Sequence, residues 1–458
     1  MKLRDIHNVY FLGIGGIGMS ALARWFKHNG KAVSGYDKTP TALTNQLESE
    51  GIAVHFEDDP AKISDNIKSS KEDVLVIYTP AIPKDHKEWA WLKAEGFNIM
   101  KRSQVLGLIT ESMISVAVAG THGKTTTSSM IVHLMKTAGI DCTGFLGGIA
   151  TNYGTNMVMN EETNSIAVIE ADEFDRSFLT LRPDAAVVTS IDADHLDIYG
   201  DKDALKESFA LFVSKIEKKG KLFAKQGVGT QILGGENNVH HFSYALESAD
   251  ITAENLRIEE ATFVFDYRTS KKTIAGIRLN VPGFHNVENA LAAISVTKYF
   301  GADDDSIREG VSTYKGVKRR FEYIIKSENL VYIDDYAHHP VEIESLLKSV
   351  RALYPNKRIT AVFQPHLFSR TRDFAPEFSE SLSLADEVIL LDIYPAREQP
   401  IEGISSTMLL ENVTAERKMV CEKEQLIEQI KAWQPEVLLT IGAGDIDKFV
   451  EPLKAELL

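Results

Sequence analysis

Short apolar runs recur through the first hundred residues, at 9–14, 32–35 and 74–78, and between them the apolar positions fall at helical spacing, as over 19–28. Runs of that length read as buried strands and the intervening segments as helices, so the pattern is βαβ and predicts a mainly parallel sheet. A second start follows at 115–119, SVAVA, which turns through THGKTTT into a helix expected over 128–138. Further strands are expected at 166–169 and 185–189. A more alternating pair, 261–267 and 273–281, predicts an antiparallel appendage before a helix over 287–300. The pattern restarts after YKGVKRR with LVYIDD, ITAVFQ, EVILLDI and EVLLTIG, each followed by a helical segment. Three α/β domains result, expected over 1–110, 111–317 and 318–458, with linkers near 108–114 and 314–321. No repeat or low-complexity segment interrupts them.

The length of 458 residues agrees with that division, since one hydrophobic core supports about 150 residues. With 44% hydrophobic and 25% charged residues the chain has the balance of a globular protein. A net charge of -15 leaves no broad basic surface for nucleic acid or anionic membrane, so phosphate-bearing ligands must be held by local donors. Cys142 and Cys421 stand far apart without a CxxC, which fits a reducing compartment; the cytoplasm is expected. The N-terminal apolar run is too short for a secretory signal, and no run is long enough to span a membrane. Oligomeric state is not readable from the sequence.

Three motifs carry chemistry. Gly13, Gly15, Gly16 and Gly18 follow a predicted strand and open a helix, 19 residues before Asp37 at the end of the next strand. Such glycines let backbone N–H groups approach a diphosphate, and the acid can bind a ribose hydroxyl. NAD and a UDP-sugar present the same groups, and a plain βα turn would also use glycine. Next, Gly120-Thr121-His122-Gly123-Lys124-Thr125-Thr126 lies between a strand and a helix, where a glycine loop wraps phosphates, Lys124 bridges them and Thr125 can bind Mg²⁺. The spelling departs from the general phosphate loop at Val118, where a glycine is usual. Finally, Glu170-Ala171-Asp172-Glu173-Phe174-Asp175 and Asp192-Ala193-Asp194-His195-Leu196-Asp197 each end a predicted strand. They suggest an Mg²⁺ site with Glu170 and His195 as ligands, against the plainer reading that acids cap helices and solvate loops.

The ordered strings GTHGKTTT, EADEFDRSFL, DADHLD, GFHNVENALAAI, GVKRRFE, DDYAHHP and FQPHLFSRTRDF together resemble the Mur ligases, from Val9 to about Gly444. Within that family they are most similar to the branch that adds L-alanine to UDP-N-acetylmuramate. The resemblance implies an N-terminal Rossmann-like UDP-sugar domain, a central P-loop ATPase-like domain and a C-terminal Rossmann-like domain for the amino acid. Gly13, Gly15, Gly16, Gly18, Asp37 and Arg102 would hold the UDP-sugar. Gly120, Thr121, Gly123, Lys124, Thr125 and Thr126 would hold ATP, with Thr125, Glu170 and His195 around Mg²⁺. His285, Asn286 and Asn289 would approach the adenine, and Arg320 and Asp335 would contact ATP. Tyr336, His338, His366 and Arg370 would surround the amino acid. Taken alone, His285 is an ordinary histidine, Arg319 and Arg320 are solvated linker charge, and His338 and His339 cap a helix beginning at Pro340; the ordered motifs assign His285, Arg320 and His338 otherwise.

The implied reaction is activation of the sugar-borne carboxylate as an acyl phosphate, with Lys124 neutralising charge and His338 or His366 accepting the amine proton. Three positions depart from the family's pattern. Leu367 stands where many members have Arg, Phe174 replaces a small residue and is expected to alter packing behind the metal site, and Lys206 is offset from a modified lysine some members carry. A recycling ligase that attaches a preformed peptide is the nearest alternative, and FQPHLFSRTRD favours the alanine branch. An NAD-dependent oxidoreductase would leave GTHGKTTT unexplained, and a noncatalytic nucleotide sensor would not need Lys124, Glu170 and His195.

Overall fold

The first apolar run becomes the strand Asn8–Leu12, whose Val9, Tyr10, Phe11 and Leu12 are all buried, as a strand covered on both faces requires. It is the centre of a five-stranded parallel sheet ordered Ala53–His55, Ala32–Tyr36, Asn8–Leu12, Val74–Tyr78, Asn98–Lys101. Strand order reverses beside Asn8–Leu12, so Gly13 sits at the carboxyl-end switch point, where open α/β sheets bind ligands. The helix Ile17–His28 starts at Gly16, buries Met19, Ala21, Leu22, Ala23 and Phe26, and ends with Lys27 and His28 favourably placed at the negative end of its dipole. The computed structural model describes residues 3–69, 71–111, 113–160, 165–192, 199, 201–233, 239–396 and 398–458.

By its internal packing the chain divides into two units. One comprises Met1–Thr252, Arg268–Lys272 and Asn289–Gly310; the other comprises Ala253–Tyr267, Thr273–Glu288 and Val311–Leu458. Besides the N-terminal sheet, the first unit holds strands ordered His240–Tyr244, Lys221–Lys225, Ala185–Val188, Ser115–Ala119, Ile166–Glu170, Cys142–Ala150, Thr155–Val158. All pairings in that run are parallel except the last. The helix expected over 128–138 runs instead over Lys124–Thr137. Its polar first turns, Thr125 to Ser129, are buried to 8% exposure or less, which a polar spelling conceals. Ser128 and Ser129 hydroxyls donate back to the carbonyls of Thr125 and Thr126, so they enter the core satisfied. Within this unit Ile17–His28 packs on the strands at 142–150 and 155–158, and Asn156 fixes the contact by donating to Ser20 Oγ at 3.0 Å.

In the second unit the sheet is ordered Glu322–Lys326, Val331–Asp335, Val437–Ile441, Ile359–Phe363, Glu387–Leu390, Arg417–Val420. The four expected strands form its interior. Both edges escaped the sequence pattern, because EYIIK and RKMV are short and only partly buried. The strand Ile251–Glu259, which precedes the expected pair now found as Thr262–Thr269 and Thr273–Leu279, was also missed, since its ENLRIE stretch is mostly exposed.

Candidate functional site

At the N-terminal switch point Gly13 adopts φ 86°, a conformation costly for any residue with a Cβ, and its N–H donates to Tyr36 O at 2.8 Å. Asp37 Oδ2 accepts the Gly15 N–H at 2.7 Å, so the acid at the end of the second strand closes the glycine turn. Beside this turn lies a cleft of about 240 Å³ whose walls include Gly16, Gly18, Arg102, Gly147, Glu170 and Asp172. Arg102 Nη2 stands 3.6 Å from Asp172 Oδ2. A Cβ on Gly18 would come within 2.5 Å of Arg102 Nη1, so glycine there admits the guanidinium.

The second loop is built between Ser115–Ala119 and Lys124–Thr137. Gly123 caps the helix in the left-handed region, φ 82°, and a Cβ there would stand 2.8 Å from Asn289 Oδ1. Asn289 also accepts from Thr127 Oγ1 at 3.1 Å. Lys124 Nζ donates to Gly120 O at 2.7 Å and Thr121 O at 3.3 Å, and lies 2.9 Å from the Glu173 carboxylate. Burial opposes a charged lysine, but Glu173, Asp172 and Glu170 outweigh it, so the Lys124 pKa is raised and the ammonium stays charged. Glu170 Oε2 accepts the Gly147 N–H at 3.0 Å. Only glycine permits that approach, because a Cβ on residue 147 would meet the Glu170 oxygens at 2.3 Å.

A second cluster occupies the carboxyl ends of the strands in the other unit. Asp335 accepts Phe321 N–H and Ala337 N–H, each at 2.7 Å, and its burial pushes its pKa up to about 6 despite Arg320. Those bonds help hold the segment after GVKRR, where Arg319 and Phe321 adopt φ 61° and 49°. Tyr336 lies 5.0 Å from the Arg320 guanidinium and 5.3 Å from that of Arg319. Arg319 itself pairs with buried Asp334 at 2.9 Å. His338 and His366 face each other with ring centroids 6.1 Å apart, and His366 stacks on Tyr394. Burial drives both imidazoles down to about 4; Arg370 adds to the effect at each, and Glu342 opposes it at His338. Both are neutral at pH 7, but a pKa so far below neutrality makes either a weak proton acceptor.

The structure thus gathers the glycine turn, Asp37, Arg102 and Glu170 around one switch point, and places Tyr336, His338 and His366 beyond the carboxyl ends of strands in the other unit, with Arg320 beside Tyr336. His285 and Asn286 lie on the helix Phe284–Tyr299, where His285 Nδ1 bonds Ser345 Oγ at 2.9 Å and Asn286 donates to Pro282 O at 2.8 Å. His195 falls outside the described residues. Phe174, one of the departures from the family's pattern, is 40% exposed. The capping reading holds for His339, which is the N-cap of the helix Pro340–Leu353. Sequence reasoning missed Glu173 as the partner of Lys124. It also missed Glu342, which accepts the N–H groups of His338 and His339 and stands 3.8 Å from Arg320. A glutamate three residues after the N-cap, in HPVE, is a capping-box signal that could have found it.

Comparison with known proteins places the chain in a family. Residues 8–113 match the Mur ligase family catalytic domain, 118–297 the Mur ligase middle domain and 319–444 the Mur ligase glutamate ligase domain. The UDP-N-acetylmuramate–L-alanine ligase of Flavobacterium johnsoniae is 51% identical over 460 residues, covering 100% of this chain and 99% of its own. That of Christiangramia forsetii is 49% identical over 456 residues, with the same coverage. Among solved structures, the UDP-N-acetylmuramate-alanine ligase of Thermotoga maritima superposes with a TM-score of 0.82 at 28% identity, covering 98% of this chain and 99% of that one. A murein peptide ligase from Psychrobacter arcticus shares the fold, with a TM-score of 0.69 at 23% identity and 98% coverage of both chains. With three domain matches in order and half its residues shared with full-length relatives, the chain belongs to the Mur ligase family.

Proposed function

We propose that the chain is an ATP-dependent ligase that joins L-alanine to the carboxylate of UDP-N-acetylmuramate through an acyl phosphate, in peptidoglycan precursor synthesis. The observation that carries the reading is the charged Lys124, folded over its glycine loop and presented beside a cleft lined by Arg102 and Glu170. A carboxylate is a poor acyl donor. Phosphorylation gives it a leaving group, and alanine's amine then expels phosphate. Lys124 would neutralise charge on the transferred phosphoryl group. Gly13, Gly15, Gly16, Gly18, Asp37 and Arg102 would hold the sugar nucleotide, and Gly120, Thr121, Gly123, Thr125 and Thr126 the phosphates of ATP.

Among the described residues no group of three or more His, Cys, Asp or Glu could hold a metal ion. The Glu170 carboxylate, on the wall of the cleft, is a hard oxygen donor of the kind Mg²⁺ takes, since that ion binds through one or two protein groups plus phosphates and keeps several waters. Thr125 and Glu170 would hold it, with His195, and when bound it neutralises phosphate charge. Arg370 would take the alanine carboxylate, while His338 and His366, neutral and weakly basic, orient the amine as hydrogen-bond acceptors more readily than they deprotonate it. His285, Asn286 and Asn289 would approach the adenine, with Arg320 and Asp335 at the phosphates. Three domains, over 1–110, 111–317 and 318–458, are part of this reading; the family matches over 8–113, 118–297 and 319–444 support it. A cytoplasmic setting is in keeping with two free, buried cysteines and with no described helix long and apolar enough to cross a membrane.

The test is ADP release with UDP-N-acetylmuramate and single amino acids. Release that requires L-alanine supports the reading; release only with a preformed tripeptide would make the chain a recycling ligase instead.

A further inference from the structure

The three ammonium protons of Lys124 meet acceptors inside the protein: Gly120 O, Thr121 O and the Glu173 carboxylate. The two carbonyls belong to the loop and remain in place when it wraps a phosphate. Glu173 cannot stay on the same terms, because its carboxylate and a phosphate oxygen repel and both seek the same ammonium. Its side chain is 1% exposed, and among the described residues Lys124 is the cation paired with it. Its backbone is anchored as well, since Glu173 O accepts from Arg176 N–H at 2.9 Å and from the Tyr199 hydroxyl. One residue back, Asp172 makes a longer and more open contact, 3.6 Å from Arg102.

Resting on the reading of this loop as the nucleotide site, we propose that Glu173 is a positioning residue that occupies the phosphate's place on Lys124 in the empty enzyme and is displaced when nucleotide binds. Binding is then an exchange of anions on one ammonium. The pair keeps Lys124 folded over the loop while the site is empty, and it weakens nucleotide affinity below what the loop alone would give. Neutralising Glu173 without changing its shape removes the competitor. A partner needed only for structure would have the opposite effect, since its loss would loosen Lys124 and weaken binding.

Calorimetric titration with ADP, in EDTA to leave divalent ions out, reads the exchange directly. Glu173→Gln is expected to bind ADP roughly tenfold more tightly than the native enzyme, because a negative charge about 3 Å from the ammonium leaves the anion site. Under turnover its KM for ATP falls by a similar factor while kcat changes by about twofold or less, as expected for an interaction absent once substrate is bound. Unchanged or weaker ADP binding by Glu173→Gln overturns the proposal. Should that variant fail to fold, Glu173→Asp, which keeps the charge but shortens its reach, must still bind ADP more tightly than native, and equal or weaker binding is the refuting result. Lys124→Ala separates the two levels: if it binds ADP as the native chain does, the nucleotide reading of the loop fails first.

Discussion

Replacing Arg370 by Ala tests the map of the second unit most sharply. The residue lies on the short helix Phe368–Asp373, just beyond the carboxyl end of the strand Ile359–Phe363, and it is half-buried. Arg372, on the same helix, is exposed and paired with Asp373 at 2.7 Å, so it is already engaged at the surface. Leu367, at φ 71°, cannot share the task of receiving a carboxylate. A guanidinium offers two parallel N–H donors to that carboxylate, and removing one member of a buried charge pair costs about 2 to 5 kcal/mol. Because Arg370 is only half-buried the lower end applies, about 2 kcal/mol, or roughly a thirtyfold rise in the KM for L-alanine. Arg370→Lys keeps the charge but loses the fork, so it should recover only part of the effect. A second readout comes from the imidazoles. Arg370 helps to hold His338 and His366 near a pKa of about 4, so its loss lets both rise. A rate that needs them neutral then falls away at a higher pH on the acid side. The assay is steady-state titration of each substrate on the variant with the others saturating. An unchanged alanine KM with a raised ATP KM would place Arg370 at the phosphates and refute the reasoning.

Lys124→Ala should abolish turnover, and it should also destabilise the chain, because it strands a carboxylate that is 1% exposed; breaking such a pair costs about 3 to 5 kcal/mol. The pairing further predicts that Lys124→Ala combined with Glu173→Gln melts near the native temperature and remains inactive. Gly18→Ala places a Cβ 2.5 Å from Arg102 Nη1. Its KM for UDP-N-acetylmuramate should rise while that for ATP holds, and equal change in both would refute the assignment. Calorimetry with NAD and the UDP-sugar should show that only the latter binds tightly; NAD binding that the UDP-sugar fails to displace would revive the oxidoreductase reading. Glu88 is fully buried, accepts from Tyr10 at 2.6 Å, and is pushed by burial from 4.5 up to about 7. A carboxyl whose folded pKa is raised stabilises most below its unfolded pKa and loses that contribution as pH rises through the folded value. Denaturant melts should therefore show stability on the order of 3 kcal/mol lost between pH 4.5 and 7 in the native chain and retained in Glu88→Gln, with an identical slope in both as the refuting outcome.

What the sequence determined by itself was whatever depends on local order. Buried strands are continuous apolar runs, so 74–78 and the interior strands of the C-terminal sheet were legible from periodicity. The glycine turns were legible because left-handed backbone and close approach demand glycine at Gly13 and Gly123. Edge strands such as Glu322–Lys326 and Arg417–Val420 were not, since half-exposed segments carry no clean period. Nor was the start of the helix at Lys124, whose threonines read as loop and are buried by partners far away in the chain, as Thr127 is by Asn289. Tertiary structure alone decided the pairings. Glu170, Asp172 and Glu173 are nearly interchangeable as letters, yet folding gives them Gly147, Arg102 and Lys124 as partners. The protonation states of His338 and His366 were equally invisible, because they are set by burial and by Arg370. Sequence spacing fixes which groups stand at a strand end, but charge, exposure and pKa depend on what other segments bring within a few ångströms, and that is a property of the packed chain.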